Sequence, residues 1–437
     1  MTPQLLLGLA AAPVVVAVVL VCLREPMRVA LPLYAALIPF SSVLSVGPSR
    51  FGSLSSLVGI VLGAGLVLQL VRRRGGDGIR LSLSVPIWLL FLGITGASVL
   101  WSLTPDRTTS GFIILGSLIL IFVFVALSPV DRHILRRLEN GLLAGGLAAV
   151  GYGLFQLIVL GGFPSDTPGV GIAPDGRFGN DLLGPNNQAV ALVLPMAISL
   201  TRAVAAGDRT RRLAYAAASA LMLGGVLMTG SRGGLVATAV ALVALLLVAP
   251  TGRKTLLRYA LVGLVVGGFV FVAHPFGIGE RTVETTSSSG RTDIWRVGLA
   301  ACPEYCGFGA GWGTFPDVYA DTQASVPEAR VLVGSGAYEP HNVWLLAAIE
   351  LGLPGLLLLV AGLLVSLVEA IRLPAGLRAP PLSGLVATVV AASFLSNLEF
   401  KFFWMAMIVV VVSRNLASRE AAEGARAAVE PELIGQR

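Results

Sequence analysis

Apolar stretches close to membrane length recur along this chain, and no other feature narrows its possible folds so much. LLLGLAAAPVVVAVVLVCL, LVGIVLGAGLVLQLV and LVATAVALVALLLVA each approach the ~20 residues that cross a bilayer as a helix. Backbone amides in hydrocarbon find no water to bond, so runs of this kind must coil into helices. Composition agrees over all 437 residues, with 55% hydrophobic, 13% charged and a mean hydropathy of +0.84. A water-soluble domain cannot hide that much apolar surface. The first run, 4–22, has no basic leader and is followed by many like it, so it reads as a membrane helix rather than a signal peptide.

The expected fold is therefore an all-α polytopic integral membrane protein with about 12–13 transmembrane helices, by the length criterion. Charged breaks place the spans near 4–22, 29–46, 53–71, 83–101, 110–128, 140–161, 186–203, 213–230, 233–249, 259–275, 342–366, 383–397 and 402–414. Pro26, Pro32, Pro39 and Pro48 interrupt the early ones and mark a possible re-entrant or half-helix.

Lys and Arg orient the bundle, because short loops rich in them stay on the cytoplasmic side. One arrangement puts Arg24 and Arg28, the Arg72–Arg80 cluster, Arg132, Arg136 and Arg137, Arg202 to Arg212, Arg253 to Arg258, Arg372, Arg378 and Arg414 inside. It leaves outside Arg50, Arg107, Arg177, Arg232, Arg281, Arg291, Arg296, Arg330 and Lys401. Topology thus accounts for the net charge of +7, and no nucleic-acid partner is implied.

The chain then divides into N-terminal membrane helices at 1–275, a large outer loop at 276–341, C-terminal membrane helices at 342–416 and a cytoplasmic tail at 417–437. The outer loop is too long for a connection and contains an amphipathic segment, TDIWRVGLAAC, before a glycine-rich turn, GFGAGWGTF. It is expected to pack as a small cap over a cavity between helices. A second polar stretch, from Gly161 to Asn187, is rich in Gly, Pro and Asp and is expected to be irregular and to fold back over the membrane surface. Cys302 and Cys306 lie in the outer loop, where either a disulfide or two free thiols is open.

Several polar groups of the outer side call for chemistry. Arg232 stands in TGSRGG between two apolar runs, and a guanidinium beside hydrocarbon pairs with an acid, faces a polar cavity or snorkels to lipid head groups. Gly230, Gly233 and Gly234 allow a tight turn there, and Ser231 with the following amides offers donors to an oxyanion. Arg291 precedes the amphipathic segment, with Arg296 five residues on and Asp293 able to steady either. Of the three histidines, His133 falls in a basic inner loop and His274 ends an apolar run, whereas His341 sits in the polar motif EPHNVW. An imidazole titrates near neutrality and can take or orient a hydroxyl proton, though a lone histidine is often a structural partner. Asn186 and Asn187 open a membrane helix and are expected chiefly to cap it. Trp295, Trp312 and Trp344 suit either sugar stacking or a membrane belt. No second Cys or His pair stands at zinc spacing near Cys302 and Cys306.

In order, RFGNDLLGPNNQAVALVLPMAI, TGSRGGLVA, SGRTDIWRVGL with GFGAGWGTF, and PHNVWLLAAIELGLPGLLL resemble the successive signatures of the O-antigen ligase and O-antigen polymerase superfamily, best over residues 160 to 370. The resemblance implies a GT-C-like membrane glycosyltransferase in the inner (cytoplasmic) membrane, with its site on the outer face. The donor would be a glycan on undecaprenyl diphosphate, and the acceptor a hydroxyl of a lipid, protein or glycan. By that analogy Arg232 and Arg291 bind the diphosphate and His341 activates or orients the acceptor, with Ser231, Arg296 and Asn187 in secondary roles. Transfer is expected to be metal-independent, without cofactor, and inverting. Arginine forks match phosphate oxygens and stabilise charge on a leaving group, which agrees with the residues themselves. The rival from another class is a flippase or exporter of lipid-linked oligosaccharide, which would more naturally carry its charges at mid-membrane in two related halves. A structural scaffold for polysaccharide assembly would leave Arg232, Arg291 and His341 dispensable.

Overall fold

The computed structural model describes residues 3–42, 44, 52–72, 81–165, 171–173, 176–248, 252–259, 261, 263, 265, 291–329 and 339–434. The basic residues Arg50, Arg73, Arg74, Arg80, Arg281 and Arg330, together with His274, lie outside them, as does most of the span expected at 259–275.

Helix α1 (Pro3–Arg24) leads through a π-helical turn at Pro26–Ala30 into α2 (Leu31–Leu37), which tightens to a 3-10 turn at Ile38–Phe40. The early prolines thus break the second span into pieces, as their missing N–H groups require. There follow α3 (Leu54–Arg72), α4 (Ser84–Ala97), α5 (Pro105–Ala126) and α6 (Arg132–Val159). A two-residue hairpin, β1 (Phe163–Pro164) with β2 (Ile172–Ala173), lies in the irregular stretch before α7 (Pro185–Ala205). Next come α8 (Arg209–Met228), α9 (Arg232–Val248), α10 (Arg291–Tyr305), α11 (Phe315–Thr322) and α12 (Val343–Glu350). The chain closes with α13 (Gly352–Ile371), α14 (Ala375–Ala392) and α15 (Lys401–Ile434). Among the described residues, seven helices are long and apolar enough to cross a membrane, namely α3, α5, α6, α7, α13, α14 and α15. Shorter apolar helices cover 12–24, 26–40, 84–100 and 232–248. The expectation of an all-α polytopic membrane protein stands.

Four boundaries differ from the sequence reading. The span expected at 342–366 is two helices, because Gly352 takes φ +67 and the glycine-rich turn bonds to the break, Ala310 N–H to the Ile349 carbonyl and Gly311 N–H to that of Glu350. Helix α6 begins at Arg132, where the Asp131 carboxylate accepts from the Ile134 amide, so His133 lies in a helix rather than a loop. Helix α14 starts near Pro374 and ends at Ala392, leaving 393–400 irregular. The helix expected at 402–414 continues into the tail, as α15 runs unbroken from Lys401 to Ile434.

Helix α15 is the axis: every residue from Phe402 to Ser413 is buried, which a helix apolar on all sides allows. Around it, α6 and α2 meet backbone to backbone. A Cβ added at Gly141 would lie 2.3 Å from the Pro32 carbonyl oxygen and one at Gly145 2.4 Å from that of Ala36, the close approach that small residues four apart permit.

The basic groups at one end are tied to acids on other helices: Arg28 to Asp131 at 3.4 Å, Arg202 to Glu139 at 2.6 Å and Arg414 to Glu369 at 3.3 Å. The opposite end carries Arg177, Arg232, Arg291, His341 and Lys401.

Candidate functional site

The TGSRGG segment makes the turn that the sequence demands. Gly230 has φ +61, the Thr229 hydroxyl donates to the Val226 carbonyl, and the Ser231 hydroxyl accepts from the Gly234 amide. Ser231 is thereby buried as the N-cap of α9. Arg232 is the first residue of α9 and is exposed. The stretch from Gly161 to Asn187 packs on this turn: Arg177 Nε donates to the Thr229 carbonyl at 2.9 Å, Arg177 Nη2 to Asn186 Oδ1 at 3.2 Å, and the Phe178 amide to the Met228 carbonyl. Neither asparagine caps α7, contrary to expectation. Gly184 is the N-cap without a side-chain bond, Asn186 serves Arg177, and Asn187 Nδ2 donates back to the Leu183 carbonyl.

Arg291 is the first described residue of α10 and is half-buried. An arginine at a helix N-terminus opposes the macrodipole, so the Arg232 guanidinium sits where an anion would be favoured by side chain and backbone together. Burial disfavours the charge of Arg291, a cost that a bound anion would offset. Trp295, one turn on, donates from Nε1 to the Pro340 carbonyl at 2.7 Å and so fixes the segment carrying His341 against α10. His341 has φ +46, a left-handed conformation rare for a residue with a Cβ. Burial first, and then the Arg291 charge, lower its pKa to about 4, so the imidazole is neutral near pH 7. Asn342 caps α12 by accepting from the Trp344 and Leu345 amides. Trp344 Nε1 donates to Ser393, and Phe394 beside it packs where a Cβ on Gly233 would lie. Contacts therefore link the Arg232 turn to the His341 segment through residues 393–394. Arg296 is held aside by Asp293 at 3.4 Å.

The glycine-rich turn wraps the α12–α13 break. Gly309, Gly311 and Gly313 have φ of +87, +105 and +80, and a Cβ at Gly309 would lie 2.3 Å from the Glu350 carbonyl oxygen. The buried Glu350 carboxylate accepts from the Gly313 and Phe315 amides at 2.8 and 3.0 Å. Trp312 is buried and donates from Nε1 to Glu399, which removes it from any exposed belt. Cys302 and Cys306 are joined by a disulfide at the end of α10.

Beside these elements lies a cavity of about 1110 Å³, walled by α3, α5, residues 312–316, residues 339–340 and residues 396–401. Its charged lining is Asp106, Arg107, Glu339, Glu350, Glu399 and Lys401. Arg232, Arg291 and His341 do not line it, although Pro340, next to His341, does. The sequence reading gave these acids no role. The signal was present, because Glu350 interrupts the apolar run LLAAIELGLPGLLL and a carboxylate so placed is a functional candidate by default.

The fold is that of an all-α polytopic membrane protein, with an acid-lined cavity among its helices. Residues 217–360 match the family model described as O-antigen ligase, a stretch that includes Arg232, Arg291 and His341. The resemblance to the O-antigen ligase superfamily is upheld over this stretch; RFGNDLLGPNN lies before it. A comparison with curated proteins gives no match. The family processes glycans at membranes as ligases and polymerases.

Proposed function

We propose that the protein is a membrane glycosyltransferase that moves a glycan from undecaprenyl diphosphate to an acceptor hydroxyl, with its site on the outer face of the inner membrane and a GT-C-like architecture. The observation that carries the reading is that the charge of Arg291 reaches the half-buried His341 imidazole inside the family-matched stretch, which also holds Arg232 at the head of α9. The acceptor oxygen attacks the anomeric carbon and gives its proton to the neutral imidazole of His341. The bond from that carbon to the diphosphate breaks, and the electron pair leaves on the diphosphate oxygen. Arg291 and Arg232 stabilise the charge that develops there, the part a metal ion plays in other transferases. A single displacement of this kind inverts the anomeric centre. Ser231 shapes the turn that presents Arg232, and Arg177 holds that turn from the other side.

The test uses purified full-length protein in nanodiscs with an undecaprenyl-diphosphate glycan and a chelator. Release of undecaprenyl diphosphate coupled to transfer, lost in Arg232→Ala, Arg291→Ala and His341→Ala, supports the reading. Donor that is neither bound nor consumed by wild type removes the enzyme assignment, and full activity in the variants removes the site.

A further inference from the structure

The turn from Gly179 to Gly184 lies outside the transfer step, yet buried side-chain atoms that find no hydrogen bond among the described residues gather along it. They are Gln156 Oε1, Asp181 Oδ1, Asn187 Oδ1 and both amide atoms of Gln188. The Asp181 carboxylate crosses to α6, where Tyr152 Oη donates to Oδ2 at 2.7 Å and Gln156 Nε2 to the same oxygen at 2.9 Å. Gln156 Oε1 is carried on that amide, so it lies beside the carboxylate. Asn187 Nδ2 donates to the Leu183 carbonyl, which leaves its oxygen as the spare atom. Gln188 is fully buried and its stem runs against Gly179, where φ is +98 and an added Cβ would meet Gln188 Cβ at 2.7 Å. The amides of Leu182, Leu183 and Gly184 all converge on the Gly179 carbonyl and close the turn.

The spare atoms are unbalanced in kind. Gln156, Asp181, Asn187 and Gln188 each offer an acceptor oxygen, whereas Gln188 Nε2 is the one donor among them. Buried acceptors left without a donor are costly. Water would supply donors but adds acceptors of its own and leaves the charge of the carboxylate unmatched. Arg177, in the same stretch, turns Nε to the Thr229 carbonyl and Nη2 to Asn186 rather than to Asp181. Carboxylate and amide oxygens are hard ligands, suited to alkali and alkaline-earth ions rather than to zinc or copper. A lone carboxylate matches a single positive charge.

We propose that Asp181 and Gln156, with Asn187 and Gln188 of α7, bind a monovalent metal cation of the sodium class. The ion ties the Gly179–Gly184 turn to α6 and α7. Arg177 reaches from the same stretch to the Thr229 carbonyl at the foot of the Arg232 turn, so occupancy steadies that turn from a distance. It is a structural ion and takes no part in the transfer.

Hydrogen exchange of the 182–184 amides reads the site, using full-length protein in nanodiscs in sodium chloride and in choline chloride at equal ionic strength. Exchange is expected to be about tenfold slower once sodium reaches about ten times its dissociation constant, because the ion must leave before the turn opens. Asp181→Asn keeps an acceptor oxygen for Tyr152 and Gln156 and places an amide NH2 beside the spare oxygens, so its exchange should no longer depend on sodium. Gln188→Leu leaves the Asp181 hydrogen bonds untouched and should weaken the effect of sodium. Equal exchange in the two salts for wild type would leave only bound water at the turn and overturn the inference. A sodium effect of full size in both variants would place the ion elsewhere and overturn it. Slowing by calcium in place of sodium would mark a divalent site and overturn it as well. Exchange needs neither donor nor turnover, so each outcome is separate from the fate of the transferase reading.

Discussion

The two sides of the Pro340–His341 segment use opposite chemistry. On one side are the guanidiniums of Arg232, which begins α9, and of Arg291 in α10. On the other, carboxyl groups outnumber cations, and the one lysine is saturated by serine hydroxyls. At the far end of the bundle arginines are also plentiful, yet there Arg28, Arg202 and Arg414 each meet an acid on another helix. An arginine count separates none of these regions. What separates them is the company the charge keeps: acids on other helices at the far end, and carboxyls with a serine-bound lysine in the cavity.

The sharpest way to break the contrast is to remove the positive side. Arg291→Ala and Arg232→Ala are each expected to lower kcat/KM for donor consumption by about 10²–10³, the cost of losing one preorganised charge at a leaving group. Glu350→Asp and Glu350→Gln on the acid side should leave donor binding intact. They should instead destabilise the fold by about 1–3 kcal/mol in thermal unfolding, because the Gly313 and Phe315 amides lose a buried acceptor. A loss of donor binding in either would merge the two sides into one site.

A smaller effect sharpens the boundary itself. With His341 lowered to about 4 by burial and Arg291, kcat/KM should stay level from pH 8 down to about pH 5. An acid limb near the ordinary histidine value of about 6.5 would place the imidazole in water instead. The stability sign follows the same shift. Between pH 6.5 and 4 the unfolded chain holds a proton that the folded one refuses, so stability falls as pH drops through that window and the slope shrinks in His341→Gln. Least of all, Asp317→Asn should change stability by under about 1 kcal/mol, since its pair with Arg107 is largely exposed.

Much of this architecture was legible from residue type and spacing. The apolar runs, the amphipathic segment that becomes α10 and the glycine turns all follow from local pattern. What was not legible depends on partners distant in sequence. The break at Gly352 arises because the 307–311 turn binds it, and nothing between 342 and 366 announces that. Asn186 resembles a cap, but Arg177 takes its oxygen. Ser53, Ser55 and Ser56 look like a bland helix start until Lys401, from the other end of the chain, joins them.

Helix α15 has 34 residues and so measures about 51 Å at ~1.5 Å per residue, well beyond the ~30 Å of hydrocarbon. It starts at the cavity wall, and just past its midpoint Glu420 meets Arg132 of α6. Its enclosed first part, Phe402 to Ser413, holds the centre of the bundle. Bilayers differ in thickness, and a mismatch must be taken up by tilt, by bending or by the lipid. With the centre packed on all sides, adjustment falls to α3 and α13, the spanning helices least buried within the protein. Of these, α3 forms one wall of the cavity, which makes the width of that slot sensitive to the membrane around it.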